Sequence, residues 1–282
     1  MSAPAALPPS AGLGPAVVRW QTALDPAMPW LLLVLLALAL GLLAWHWRRT
    51  QAQARLRGAL GVALPAGAQP AAPPLAALLG LAAALGAAWG ALAWGLSAQA
   101  GALLRWDMAC LQAAGAVQAA WLHTLALGLA QAGDVLTLGV ITLLMCLWLL
   151  RQRQPVLALG CLLAVAAHSV SVRVLKNTFA RARPAEAEGL LTSGHSFPSG
   201  HAAGSLMVLG LLAWVLYTHW PAAWPARGRA WAVAALMLLV AAIAVSRVLL
   251  QVHYASDVAA GLLWAGMALA LTVAALSQAR RW

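Results

Sequence analysis

Three short segments of this chain gather residues suited to handling an anion. KNTFARARP sets Lys176 ahead of Arg183 and Pro184 with six residues between Lys176 and Arg183, and Arg181 lies inside the interval with no acid among them. SFPSGHAAG runs Pro198, Ser199, Gly200 and His201 into an apolar stretch, and SRVLLQVHYASD carries Ser246, Arg247, His253 and Asp257. Only 8% of the chain is charged, so this clustering of cations needs a local cause. Arg183 and Arg247 suit bidentate contact with phosphoryl oxygens, and Lys176 supplies a compact point charge.

The other residues fit the same chemistry. Pro198 stiffens the approach, and Ser199 and Gly200 open a helix whose free N–H groups and positive dipole end favour an anion. Gly200 also lets the backbone come close to its ligand, with His201 in the first turn beside it. His253 and Asp257 are four residues apart, which on a helix places them on one face, about 6 Å apart along the axis. A carboxylate there accepts one ring N–H, fixes the tautomer and leaves the other nitrogen free to attack. Taken singly, each feature has a plainer reading: snorkelling cations at a headgroup layer, or a histidine satisfied at a helix end. Those readings do not account for two histidines, an aspartate, two arginines, a lysine and a glycine-opened helix on one side of a membrane.

The elements that must position them are membrane helices. The chain of 282 residues is 63% hydrophobic, with mean hydropathy +0.84, outside the composition of water-soluble domains. Seven apolar stretches approach the roughly 20 residues a bilayer core requires, near residues 27–47, 75–97, 132–150, 155–175, 200–217, 230–250 and 258–276. The fold class is all-α, a polytopic membrane helical bundle, because unpaired backbone is too costly in lipid. Residues 102–131 are apolar but carry Arg105, Asp107, Gln112, Gln118 and His123, and read as an interfacial helix. The organisation is an N-terminal tail 1–26, a first transmembrane helix 27–47, a cytoplasmic linker 48–74, a six-helix core 75–276 and a cytoplasmic tail 277–282. No cleaved signal peptide is expected, since the first apolar run starts only near Met28.

The net charge of +11 suggests nucleic acid only in a soluble protein, and no basic face interleaved with aromatics is visible. Sorted by span, Arg48, Arg49, Arg55 and Arg57, then Arg151 and Arg153, then Arg227 and Arg229, then Arg280 and Arg281 fall on one side, which the positive-inside rule makes the cytoplasm. Lys176, Arg181, Arg183 and Arg247 then lie outside, where few cations are expected. Of the 15 tryptophans, Trp30, Trp45, Trp47, Trp94, Trp148, Trp220 and Trp231 sit near span ends as interfacial anchors. Cys110, Cys146 and Cys161 have no metal-ligand or redox spacing and read as small core residues. No metal or cofactor is expected. Arg181 reads as a membrane contact, Arg173 as a snorkelling residue, His168 as bonded to a neighbouring helix, His195 as outside the chemistry, and Asp134 as the start of the third span. Glu186 and Glu188 lack partners for a metal, and Gly204, Gly261 and Gly266 suit close helix packing.

The three segments together resemble the signature of the type 2 phosphatidic acid phosphatase family: Lys, six residues, Arg-Pro; Pro-Ser-Gly-His; and Ser-Arg, five residues, His, three residues, Asp. Every signature position is filled, over residues 176–257. The resemblance implies a six-helix phosphatase core over roughly 75–276, with the first span an addition, and metal-independent hydrolysis of a lipid phosphate through a phosphohistidine. It makes His253 the nucleophile, Asp257 its partner and His201 the general acid. Lys176, Arg183, Ser199, Gly200 and Arg247 hold the phosphate. The implied partners are a phosphorylated lipid and the bilayer of a bacterial cytoplasmic membrane, with the site facing the exterior. Polyprenyl diphosphate, phosphatidylglycerol phosphate, phosphatidate and a lipid A phosphate all fit, with a slight lean to the first. A lipid phosphotransferase and a catalytically silent lipid-binding or lipid-transporting relative are the alternatives.

Overall fold

A computed structural model describes residues 74–117, 119–187, 194–219 and 226–279. The tail 1–26, the first predicted span 27–47, nearly all of the linker 48–74 and the last three residues lie outside them. So do Trp30, Trp45, Trp47, Trp220 and Glu188.

Within the described residues the chain forms eight α-helices: α1 (Leu75–Ser97), α2 (Gly101–Gly115), α3 (Ala120–Ala132), α4 (Val135–Arg151), α5 (Pro155–Phe179), α6 (Gly200–His219), α7 (Ala226–Leu249) and α8 (Ala255–Ala279), with a 3-10 turn at Ala185–Ala187. Five of them are long and apolar enough to cross a membrane, and α3 with α4, bent by 48° at their junction, makes a sixth if taken together. The protein is a multi-pass membrane protein. Hydroxyls inside these helices bond back to the carbonyl four residues earlier, as in Thr142 to Leu138 and Thr272 to Ala268, so they need no water.

The predicted spans fall on α1 and α4 to α8. The polar stretch 102–131, expected as one helix, is two. The second of them abuts α4 at Gly133, where Asp134 caps α4 by accepting from the Leu136 N–H at 3.0 Å. The cap satisfies an orphan donor and starts α4 in a new direction. α5 begins with Pro155, whose missing N–H costs nothing there. It ends at Ala180, which adopts a left-handed φ of 45° while its N–H closes on the Lys176 carbonyl.

α8 is the central element, packed against α1, α6, α5, α2 and α7. Small residues permit these crossings. A Cβ on Gly261 would lie 2.7 Å from the Ser199 carbonyl oxygen, and since that neighbour is backbone it cannot retreat. A Cβ on Gly204 or Gly266 would meet only the leucine methyls of Leu138 and Leu85, at 3.0 and 3.1 Å, which can give a little. The main core joins Met145, Cys146 and Leu149 of α4, Cys161 of α5, Met207 and Leu211 of α6, and Ala265 of α8. Leu136, Leu143, Leu144 and Leu238 point outward, as suits helices whose surroundings are hydrocarbon. Trp94 and Trp231 are exposed as anchors would be, whereas Trp148 packs edge-on against His219.

Candidate active site

α5 and α7 end, and α6 and α8 begin, at the same end of the bundle. Backbone bonds join the four segments there: Ser196 N–H to the Arg181 carbonyl at 2.8 Å, and Ser199 N–H to the Asp257 carbonyl at 2.9 Å. The loop before α6 is fastened from below by the chain's two phenylalanines. Phe197 is fully buried, its ring 4.7 Å from that of Phe179, which Trp89 meets edge-on. Lys176 Nζ donates to the His195 carbonyl and, at 3.5 Å, to the Ser196 carbonyl.

His253 stands in a turn that the Arg247 carbonyl holds, accepting from the N–H groups of Val252 and His253 at 3.2 and 3.3 Å. The expectation of His253 and Asp257 on one helical face is corrected here. α8 starts at Ala255, so His253 precedes the helix while Asp257 lies in its first turn. The reason is a cap: Tyr254 is the last non-helical residue, and Asp257 Oδ2 reaches back to accept its N–H at 3.0 Å. The same oxygen accepts from Ser196 Oγ at 2.5 Å. His253 Nδ1 is 3.2 Å from Ser196 Oγ and 3.5 Å from Asp257 Oδ2, so its proton is shared by a hydroxyl and a carboxylate rather than by the carboxylate alone. The other nitrogen, Nε2, faces Arg183 Nη1 at 3.2 Å. Burial pushes the imidazole down to about 3, against the opposing pull of Asp257. This is a neutral ring with its proton on Nδ1 and a lone pair on Nε2.

Of the residues expected to hold a phosphate, Arg183 meets that lone pair and the others lie on the segments that end or begin beside it. Arg183 is braced by the carbonyls of Gly194 and Val252 at 3.0 and 2.8 Å, which fixes the guanidinium plane. Ser199 Oγ and Arg247 Nε are buried with no hydrogen-bond partner among the described residues. Buried polar atoms are seldom left so, and an anion at this place would satisfy both. Gly200 lies under the Lys176 side chain, with Cε 3.8 Å from where a Cβ would stand. His201, in the first turn of α6, has its ring against Gly133, Cδ2 3.4 Å from the position of a Cβ there. All eight residues singled out by spacing thus belong to segments meeting at one end of the bundle.

The structure adds residues that the spacing did not single out. Arg181, expected as a membrane contact, donates to Asp257 Oδ1 at 2.6 Å, to Ser256 Oγ at 2.7 Å and to Asp107 Oδ2 at 2.7 Å. Its guanidinium carbon also lies 4.0 Å from the centre of the Tyr254 ring. Asp107, from α2, accepts from the Ser256 N–H at 2.8 Å and from Ser256 Oγ at 2.6 Å. The available signal was a lone acid in an apolar helix, which requires a cation at the same membrane depth. His168 is buried on α5 with its ring turned to the backbone of Ala203 on α6, the kind of neighbouring helix expected for it.

Residues 156–282 match the family model of the PAP2 superfamily. No curated protein matches the sequence. The fold is similar to the crystal structure of a transmembrane PAP2-type phosphatidylglycerolphosphate phosphatase from Bacillus subtilis, at 24% identity and a TM-score of 0.64, over 71% of this chain and 96% of that one.

Proposed function

We propose that this protein, whose residues 156–282 match the family model of the PAP2 superfamily, is a membrane lipid phosphatase working through a phosphohistidine, with residues 75–276 as its catalytic unit. The observation that carries the reading is the setting of His253, with Nδ1 turned to Ser196 and Asp257 and Nε2 turned to Arg183. His253 Nε2 attacks phosphorus and the P–O bond to the lipid breaks. The leaving oxygen takes the proton of His201. Water then attacks the phosphohistidine, returns a proton to His201 and frees inorganic phosphate and neutral His253.

Lys176, Arg183, Ser199, Gly200 and Arg247 hold the phosphoryl oxygens. Magnitudes favour giving them the larger share. Enzymes speed phosphate monoester hydrolysis by up to about 10²¹-fold, while one positioned acid or base contributes about 10² to 10⁴. A preorganised cationic clamp that stabilises the equatorial oxygens supplies much of the rest. No metal takes part in this scheme. The site faces the exterior of a bacterial cytoplasmic membrane, opposite Arg151 and Arg153 at the α4–α5 connection and Arg229 near the start of α7.

The structural relative's name makes phosphatidylglycerol phosphate the first lipid to test, beside polyprenyl diphosphate, phosphatidate and a lipid A phosphate. The test is phosphate release in detergent with EDTA, by the wild type and by His253→Ala. Release by the wild type alone supports a metal-free phosphatase dependent on His253. Transfer of the phosphoryl group to a second lipid in place of release moves the reading to a transferase, and no reaction with any lipid moves it to a silent binder.

A further inference from the structure

We propose that Asp107 and Arg181 form a positioning pair that fixes Asp257 in place and keeps its charge available to His253, so that α2 is part of the catalytic apparatus. The inference rests on the phosphatase reading above and concerns residues outside the three-part signature.

The geometry starts from a defect in α8. Tyr254 at the N-cap has no side-chain acceptor for the first-turn donors, and the Ser256 N–H would be orphaned. Asp107 Oδ1 fills that role from another helix, at 2.8 Å. Its second oxygen accepts from Ser256 Oγ and from Arg181 Nη2, while Arg181 Nη1 donates to Ser256 Oγ and Asp257 Oδ1. Asp107 is 1% exposed and Asp257 fully buried. One cation therefore lies between two carboxylates, in a place poor in water.

The charge balance gives the arrangement its consequence. With Asp257 alone, Arg181 would neutralise the carboxylate that must stabilise positive charge on the ring of His253 as Nε2 bonds to phosphorus. With Asp107 present, the guanidinium divides its charge and the trio keeps a net charge of −1. Asp257 is thereby both oriented and left anionic. Ser196 and Tyr254 bind its other oxygen, so Arg181 is the partner that fixes Oδ1.

The experiment compares wild type, Asp107→Asn, Asp107→Glu, Arg181→Lys and the Asp107→Asn/Arg181→Lys double variant, with His253→Ala as baseline. Rates are normalised to the monodisperse folded fraction in detergent. Partners that orient metal-bound histidines contribute about 10–100-fold, and a carboxylate orienting a nucleophilic histidine is taken on the same scale. Asp107→Asn is expected to lower kcat by about that factor with KM within about twofold, and Asp107→Glu, which keeps the charge, to lose less. Lysine is one point charge and does not span both carboxylates, so Arg181→Lys should resemble Asp107→Asn, and the double variant should lose no more than the worse single.

A purely structural cap predicts the opposite order, because asparagine retains the Oδ1 acceptor and glutamate is too long for it. The proposal is overturned by an Asp107→Asn enzyme with kcat within about twofold of wild type, by a loss carried in KM, or by single losses that multiply in the double variant. Should Asp107→Asn not fold, Arg181→Lys alone decides by the same split between kcat and KM. A wild type that releases no phosphate overturns the phosphatase reading itself, and this pair with it.

Discussion

At the scale of single residues, the protonation of His253 sets an expectation for pH. The roles that the family resemblance implies, a neutral His253 and a protonated His201, lead to an expected bell-shaped profile. Burial lowers the His253 value to about 3. A value below the ordinary one means that the neutral, attacking form predominates at all pH above it, so protonation of His253 removes activity only in strong acid. Between pH 5 and 9, kcat should therefore show no acid limb from His253, which a pH series of phosphate release checks. An acid limb centred near pH 6 would show that burial does not hold His253 neutral. Arg247 has a second test. Its buried Nε lacks a partner, and lysine offers no planar fork, so Arg247→Lys should lower kcat by about 10² to 10³, as loss of one preorganised donor does. The signature residues were legible in the sequence because each is a chemically unusual type at a fixed spacing. Ser196, Ser256 and Tyr254 were not, since a serine or tyrosine at a loop end has many ordinary uses. Asp107 and Arg181 were each noticed, but their pairing spans 74 residues and no local pattern reports it.

At the scale of elements, α8 decides how closely the site is assembled. Gly261 lies against the Ser199 carbonyl, with room for no Cβ. Gly261→Val should push α6 away from α8, lowering stability by about 1–3 kcal/mol as overpacking does. It should also lower activity by displacing Ser199, which thermal unfolding in detergent and phosphate release would register separately. The end of α5 offers a change of opposite sign. Ala180 holds φ 45°, a conformation costing an L-residue about 1–2 kcal/mol, whereas glycine there loses about 0.5–1 kcal/mol of chain entropy. Ala180→Gly should thus raise the unfolding midpoint slightly with activity kept. A lowered midpoint would show that the chain entropy of glycine outweighs the strain at Ala180. Helix positions were readable because runs of about 20 apolar residues have one outcome in lipid. The break of 102–131 into α2 and α3 was not, because its cause is tertiary. Gln251 Nε2 binds the Leu111 carbonyl at 3.2 Å, and the α3–α4 junction is wedged at Gly133 between Ile243, Ser205 and His201.

At the scale of the whole molecule, the two ends of the bundle differ in kind. One end brings together Lys176, Arg181 and Arg183, held by carbonyls and by the carboxylates of Asp107 and Asp257, with the buried Arg247. The other end carries Arg151 and Arg153 at the α4–α5 turn, both exposed, and Arg229 near the start of α7. Exposed arginines of the second kind are what the positive-inside rule counts, whereas cations committed to a buried site should not orient the chain. The active end is therefore expected outside, and single cysteines test this in a Cys110→Ser background, Cys146 and Cys161 being buried. Ala182 is exposed between the two site arginines and Gln152 is exposed at the opposite end. A membrane-impermeant maleimide applied to intact cells should label Ala182→Cys directly and Gln152→Cys only after permeabilisation. The reverse pattern would place the phosphatase site in the cytoplasm. The substrate would then be a lipid of the inner leaflet, and the excess of cations at the active end would itself have dictated the orientation.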